Sequence, residues 1–164
     1  MKKIYYLIVS LIIFINFSGC SGYKPIYNTS NFNFKIEDYS IGGNEKIGNQ
    51  IYLNLYNLAK SNKNNQSAKK INISINSNRN KSATAKSSTG KIIEYKINLN
   101  ADITIIDFLT GKTIISHSFN FFSSYKAQDR YSETIKLENK NLEDLINKLN
   151  RDLLIKISGA ISEQ

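Results

Sequence analysis

The chain has 164 residues, of which 41% are hydrophobic and 21% are charged, and its formal net charge at pH 7 is +9. This composition is typical of a globular protein and excludes the disordered and fibrous classes. The length suits one domain plus a targeting segment. A net positive charge favours anionic binding partners such as phospholipid headgroups, phosphorylated glycolipid or nucleic acid. Ile, Lys, Asn and Tyr are abundant and are encoded by AT-rich codons, so genome composition is an alternative explanation for part of the lysine excess.

The first twenty residues have the parts of a bacterial lipoprotein signal. Two lysines precede an apolar stretch at 4–15, which has the length of a signal-peptide core and is short for a membrane span. Residues 17–20 (FSGC) resemble the lipobox, in which small residues precede the cut and the following cysteine is acylated. We therefore predict a signal peptide at 1–19 and lipidation of Cys20.

Cys20 is the only cysteine in the chain, which excludes an intrachain disulfide and a thiolate metal cluster. Cleavage before it leaves 145 residues (164 − 19) and a formal charge of +7, since two of the 22 basic residues lie in the signal and the 13 acidic residues do not. The next residue is Ser21 rather than Asp, which by resemblance to the usual lipoprotein sorting rule indicates the outer membrane. We expect a mature protein anchored there by its N-terminal lipid, on the periplasmic side.

The mature chain divides into a tether and one domain. Residues 20–31 contain the only proline and several turn-forming residues, and they are predicted to be a lipidated tether. A single domain follows at 32–164. Alternating apolar residues at 32–36 predict its first strand, and Asn44 is the predicted N-cap of an amphipathic helix at about 45–60.

Three further strands are predicted after a polar loop at 60–69. Isoleucines at 71, 73 and 75 recur with a period of two, and β-branched residues fit a pleated surface. The odd positions of 93–105 form a long apolar face, and 113–125 repeats the pattern. The turn at 110–111 between these last two strands predicts that they pair as a hairpin.

A second amphipathic helix is predicted at the C-terminus. Asn141, with Asp144 three residues on, is its predicted N-cap, and leucines and isoleucines recur at helical spacing to about Ser158, before a stop at Gly159. The resulting order is β-α-β-β-β-α. It predicts an α+β two-layer sandwich with both helices on one face of a four-stranded sheet. The other sheet face is predicted to be polar, with Asn72, Ser74, Asn76, Lys96, Asn98 and Asn100 on it.

Several short motifs resemble the LPS-assembly lipoprotein (LptE) family. They are CSGYKPIY at 20–27, IGNQIYLNL at 47–55, and DFLTGK at 107–112 with a Ser-Tyr pair at 124–125; the leucine-rich C-terminal helix matches too. Three first-helix positions that are often basic in the family are not basic here: Asn49, Tyr52 and Asn54. The resemblance covers nearly the whole mature chain. It implies a plug inside a large outer-membrane β-barrel that helps deliver lipopolysaccharide to the outer leaflet.

No constellation in the sequence predicts catalysis. His117 is the only histidine, and it falls on the apolar parity of its strand, which favours a structural residue at the sheet–helix interface. The neighbouring acids Glu37 and Asp38 face opposite ways on a strand, which favours solvated charge over an acid–base pair. No phosphate loop or metal-ligand spacing occurs. We expect no enzyme activity, no metal and no cofactor.

The middle of the chain is basic, since nine cations and one acid lie between Lys60 and Lys96. Residues 78–90 contain no large apolar residue, which predicts a protruding, flexible hairpin tip. Cationic side chains there are candidate ligands for lipid A phosphates, which accept charge-assisted hydrogen bonds. These candidates are Arg79, Lys81, Lys86 and Lys91. The alternative is a solvated loop whose lysines reflect codon usage.

Two functions remain open from the sequence. The leading hypothesis is an outer-membrane lipoprotein that forms a complex with a large β-barrel and assists the assembly of lipopolysaccharide. The alternative is a stand-alone, periplasm-facing lipid- or ligand-binding lipoprotein, such as an auxiliary subunit of a transporter. We do not expect nucleic-acid binding, because the anionic partner at an outer membrane is glycolipid and no aromatic-interleaved basic stripe occurs.

Overall fold

The computed structural model describes residues 34–61 and 68–162. Their elements are β1 Phe34–Gly43, α1 Glu45–Ser61, β2 Lys69–Lys86, β3 Ile92–Asp107, β4 Thr113–Lys126 and α2 Tyr131–Ser162. The predicted order β-α-β-β-β-α is confirmed. The predictions of a signal peptide, of lipidation at Cys20 and of a tether lie outside the described residues.

The four strands form one mixed sheet in the order β1-β2-β3-β4. β1 pairs with β2 in parallel, whereas β2, β3 and β4 form an antiparallel meander. A parallel pair needs a long crossover connection, and α1 supplies it. β1 and β4 are therefore the two edges of the sheet.

Both helices cover the same face of the sheet. Eight residues at odd positions of β2 and β3 are at most 2% exposed: Ile71, Ile73, Ile75, Ile97, Leu99, Ala101, Ile103 and Ile105. The helices contribute Ile51, Leu55, Ile146, Leu149 and Leu153, which are equally buried. Burying each such side chain stabilises the fold by about 1.5–3 kcal/mol. The predicted α+β two-layer sandwich is thus confirmed.

The start of α1 follows its sequence signals. The side-chain oxygen of Asn44 accepts a hydrogen bond from the backbone N–H of Ile47 (3.2 Å), as an N-cap does. One turn into the helix, Gly48 lies so close to β1 that a Cβ atom there would be 2.4 Å from Cγ2 of Ile41. Glycine is therefore required at this position for close packing of the helix on the strand.

The start of α2 differs from the prediction. The helix begins at Tyr131 rather than near Asn141, so Asn141 is not an N-cap; its side-chain amide donates to the carbonyl of Leu137, one turn earlier (2.8 Å). The core-facing residues of the first turns are Thr134 and Glu138, each only 4% exposed. Because they are polar, the apolar period of the sequence does not reveal this part of the helix.

The end of α2 differs as well. The helix continues to Ser162, so Gly159 is not its stop. Gly159 is exposed, lacks a positive φ and has no neighbouring atom within 4 Å of a Cβ position. Nothing at this position requires a glycine.

The predicted flexible tip at 78–90 is wrong for most of its length. β2 continues to Lys86, and its pairing with β3 extends as far as Ile92. The turn proper spans only 87–91, where the N–H of Ser87 donates to the carbonyl of Lys91 (2.8 Å) and Gly90 has a φ of 82°. Asn78 and Asn80 lie on the solvated sheet face, while Arg79 and Lys81 take the place of apolar residues on the helix-covered face, so the absence of large apolar residues did not distinguish a strand from a loop.

Candidate functional site

Two of the predicted phosphate ligands bind a buried carboxylate of α2. Glu138 accepts hydrogen bonds from Nη2 of Arg79 (2.6 Å), Nζ of Lys81 (2.5 Å) and the hydroxyl of Tyr125 (3.0 Å). The Glu138 side chain is 6% exposed, whereas those of Arg79 and Lys81 are 31% and 26% exposed. The cations thus cover the carboxylate and partly face solvent. Two cations on one carboxylate leave this cluster, here called the Glu138 cluster, with one positive charge.

The ionisation of the Glu138 cluster follows from this geometry. Burial alone would raise the pKa of Glu138, but hydrogen bonds from Lys81 and Tyr125 and the charges of Lys81 and Arg79 outweigh it and hold the pKa below its ordinary value. Burial by itself lowers the pKa of Lys81, yet the hydrogen bond to Glu138 raises it overall. Both groups are therefore charged at neutral pH.

Two tyrosines complete the Glu138 cluster. The Nζ of Lys81 lies 4.2 Å from the ring centroid of Tyr95, and that ring stacks on Tyr125 with 5.7 Å between centroids. A cation over an aromatic face is attracted by the ring quadrupole. Lys81 is thus fixed by both a carboxylate and a ring. The sequence prediction missed Glu138 and both tyrosines, because they lie on other elements of the chain.

The other two predicted ligands lie at the end of the β2–β3 hairpin. Lys86 is exposed at the last residue of β2, and Lys91 is exposed in the turn, where its Nζ is 3.6 Å from the exposed carboxylate of Asp129. Lys86 lies five residue steps along the strand from Lys81, a distance of about 17 Å. The structure therefore divides the four cations into two pairs. Phosphate binding by these residues stays a prediction.

The sheet face opposite the helices carries rows of asparagine, here called the amide face. Asn78, Asn100 and Asn120 are register partners across β2, β3 and β4, and Asn80 is the partner of Asn98 in the next row. These side chains offer both donors and acceptors without charge. The asparagine rows can therefore hydrogen-bond a polar surface without the cost of burying unpaired ions.

One aromatic residue interrupts the amide face. Phe122 is 64% exposed, and the Nζ of Lys96 lies 4.1 Å from its ring centroid. A shallow cleft of about 580 Å³ lies beside the ring, lined by Asn80, Lys96, Asn98, Asn100, Asn120 and Phe122.

His117 lines an open groove of about 530 Å³ between β4 and α2. It is exposed, so the prediction of a histidine within the sheet–helix interface is wrong; β4 is an edge strand, and α2 leaves this position uncovered. The His117 ring packs edge-on against Phe119, with 4.7 Å between centroids. Ser118 also lines the groove, but its hydroxyl donates to Asp102 of β3 (2.6 Å), away from the histidine. The groove thus brings no hydrogen-bonded Ser–His pair together.

In the described part of the chain, no group of three or more His, Cys, Asp or Glu side chains is placed to hold a metal ion. No helix within 34–61 or 68–162 is long and apolar enough to cross a membrane.

The sequence matches no protein-family model and no curated protein. The fold, in contrast, recurs in solved structures. It is similar to that of uncharacterized lipoprotein B from Nitrosomonas europaea, with a TM-score of 0.57 and 15% identity over 87% of this chain and 94% of that one.

Two further structures share the fold. Rare lipoprotein B from Shewanella oneidensis gives a TM-score of 0.54 at 12% identity, over 76% of this chain and 97% of that one. A minor lipoprotein from Acinetobacter baumannii gives 0.51 at 14% identity, over 77% and 93%. Identities this low show a common fold, and the alignments span nearly the whole of each neighbour.

Proposed function

We propose that the chain is an outer-membrane lipoprotein that forms a complex with a large β-barrel and assists the assembly of lipopolysaccharide at that membrane. Three observations support the proposal: the lipobox-like sequence ending at Cys20, the motifs that resemble the LptE family, and a fold shared with solved lipoproteins. The amide face carries the structural part of the argument.

A protein that fills a large outer-membrane barrel needs a surface that can hydrogen-bond the lumen, because the lumen is lined by polar side chains. The amide face presents neutral donors and acceptors on three adjacent strands, and its central row, Asn78-Asn100-Asn120, contains no charge. Each amide can pair with a lumen group in either hydrogen-bonding sense. This central row can make a polar contact without leaving an ion unpaired.

The test is a pulldown of the tagged protein from detergent-solubilised outer membrane. We expect a large barrel protein to be recovered in equal amount. Asn100→Arg, which places a charge at the centre of the amide face, should reduce that recovery. Asn147→Arg is the matched control, because Asn147 is exposed on α2. Recovery of the chain without any barrel protein would contradict the proposal.

That last result would favour the alternative of a stand-alone ligand-binding lipoprotein. The observation in its favour is the groove between β4 and α2, which is lined in part by Phe119, Phe121 and the exposed Ile155. An apolar ligand that protects this groove, in a protein purified without a barrel, would identify the alternative.

The four residues proposed to contact lipopolysaccharide phosphates lie in two separate places in the structure. Lys86 and Lys91 are exposed and form the hairpin-end contact, while Arg79 and Lys81 add the net positive charge of the Glu138 cluster. Replacing all four would confuse binding with stability, because Glu138 would lose its cations. The informative variant is therefore the double substitution at the hairpin end.

We expect Lys86→Ala/Lys91→Ala to weaken lipopolysaccharide binding and to leave the melting temperature nearly unchanged, because exposed charges contribute little to stability. Added salt should weaken wild-type binding, since the Debye length falls from about 10 Å at 0.1 M to about 3 Å at 1 M. Lys136→Ala/Lys140→Ala on the exposed side of α2 is the control. Equal affinities of the two double variants would refute the hairpin-end contact.

A further inference from the structure

We infer that the β3–β4 turn is a membrane-contact site, which holds the domain against an anionic lipid surface beside its own N-terminal anchor. The inference rests on the proposed lipidation of Cys20 for the position of that anchor. It assigns to the domain itself a second, weaker attachment to the bilayer.

The tip of the β3–β4 turn is apolar and exposed. Phe108 is 47% exposed and Leu109 is 77% exposed. Turn tips normally carry Gly, Pro, Asn, Asp or Ser, and the β2–β3 turn of the same sheet has the sequence SSTG at 87–90. Two large apolar residues at the tip of the β3–β4 turn therefore need a reason that turn geometry does not supply.

The turn is also well ordered. Oδ1 of Asp107 accepts hydrogen bonds from the N–H groups of Leu109 (3.0 Å) and Thr110 (2.9 Å), and Gly111 has the positive φ, 68°, that closes the turn. The apolar side chains are thus presented from a fixed support. Little conformational entropy is lost when such a tip enters an interface.

The turn lies at the end of the sheet where the tether enters the domain. The N–H of Phe108 donates to the carbonyl of Lys70 (3.0 Å), and the neighbouring Lys69 is the register partner of Phe34, the first residue of β1. Between Cys20 and Phe34 the chain can reach at most about 50 Å when fully extended. The opposite turn is a further β3 length away, about 50 Å. The β3–β4 turn therefore lies at the end of the sheet within easiest reach of a bilayer that holds the lipid of Cys20.

The charges around the tip suit an anionic surface. Nζ of Lys70 lies 5.9 Å from the ring centroid of Phe108. Five lysines lie at this end of the sheet, Lys35, Lys60, Lys69, Lys70 and Lys112, against three carboxylates, Glu37, Asp38 and Asp107. The excess of two positive charges beside an apolar tip is the combination that binds anionic headgroups while apolar side chains enter the interface.

The chain contains no tryptophan, which permits a direct test. Leu109→Trp places a single fluorescent indole at the proposed contact, and Ser88→Trp places one at the exposed opposite turn as a matched control. The processed, lipidated protein is reconstituted through its own anchor into vesicles of phosphatidylcholine and phosphatidylglycerol in equal parts. We expect a blue-shifted emission and quenching by brominated lipid for Leu109→Trp and neither for Ser88→Trp. Equal, water-like emission from both variants would overturn the inference.

A second measurement separates this inference from the proposed function. The mass of the processed protein shows directly whether Cys20 carries acyl chains, whatever the turn does. Residues 20–164 carrying Cys20→Ser, produced without the signal segment and therefore unlipidated, are then sedimented with the same vesicles, so that binding through the turn alone is measured. In this chain Leu109→Ser should lower the partition coefficient by roughly tenfold. Vesicles of phosphatidylcholine alone should bind less of the same chain, because they lack anionic headgroups. Partitioning that is insensitive to Leu109→Ser would refute the contact even if the anchor is confirmed.

Discussion

Removing both cations of the Glu138 cluster tests how much they stabilise the buried carboxylate. In Arg79→Ala/Lys81→Ala, the buried carboxylate keeps only the hydroxyl of Tyr125 among its three described donors. Either single variant leaves it one cation. We therefore expect the loss on double substitution to exceed the sum of the two single losses.

The magnitudes follow from burial. Each cation is partly exposed, at 31% and 26%, so a single substitution should cost about 1 kcal/mol, somewhat less than the roughly 1.5–3 kcal/mol typical of hydrogen bonds to charged groups. The double variant leaves a carboxylate that is 6% exposed without a positive partner. Breaking a buried pair in this way costs about 3–5 kcal/mol. The implied coupling between Arg79 and Lys81 is about 1–3 kcal/mol.

The pH dependence of the unfolding free energy gives a second, independent test of the Glu138 cluster. In the wild type the ordinary pKa of the Glu138 carboxyl, 4.5, is lowered in the folded protein, so its ionisation stabilises the fold at pH values above 4.5. This contribution is lost as the pH falls through the pKa of Glu138 in the folded protein. In the double variant burial dominates and raises the pKa, so protonation of the carboxyl in the native state recovers stability as the pH falls. The difference in unfolding free energy between wild type and double variant should therefore shrink on acidification.

The assay is urea unfolding of wild type, both single variants and the double variant, at about pH 7 and about pH 4. Lys136→Ala/Lys140→Ala on the exposed side of α2 controls for the loss of two positive charges. Additive losses of the two substitutions, with a difference from wild type that does not change with pH, would refute the account of the Glu138 cluster.

Three further variants test other parts of the structure. Leu149→Ala should cost about 2–5 kcal/mol of unfolding free energy, and its exposed neighbour Lys148→Ala less than about 1 kcal/mol; equal melting temperatures would contradict the orientation of α2. Gly48→Ala should cost about 1–3 kcal/mol in the same assay, because its Cβ would meet Ile41, and a neutral effect would contradict the close packing of α1 on β1. Cys20→Ser should leave an uncleaved or mislocalised precursor, and incorporation of labelled palmitate into that variant would show that the lipidation site is elsewhere.

The strands were predictable because their buried faces are regular. Isoleucines at every second position of 71–75 and the apolar odd positions of 93–105 identify half-buried strands without ambiguity. The end of β2 was not predictable for two reasons. Its even positions, such as Asn78 and Asn80, face solvent and are as polar as loop residues. On the helix-covered face, Arg79 and Lys81 occupy positions where the sequence pattern requires apolar residues.

The Glu138 cluster was hidden for a different reason. Arg79 and Lys81 pair with a carboxylate 59 and 57 positions away, on a helix turn that the apolar period does not reveal. The sequence analysis treated both cations as surface charges, whereas in the structure they form ion pairs with a buried carboxylate. Of the four predicted ligands, the sequence located the two exposed ones, Lys86 and Lys91, in the hairpin end where the structure also has them.

The parallel pairing of β1 with β2 also predicts the order in which the strands pair during folding. The meander from β2 to β4 joins neighbours through short turns, whereas β1 finds its partner only after all of α1 has been spanned. Contacts between sequence neighbours form at smaller loop-closure cost and therefore sooner. We therefore expect β1, the strand nearest the proposed anchor, to be the last of the sheet to pair. We expect an exported chain to present Cys20 to the acylating enzymes while β1 is still unpaired.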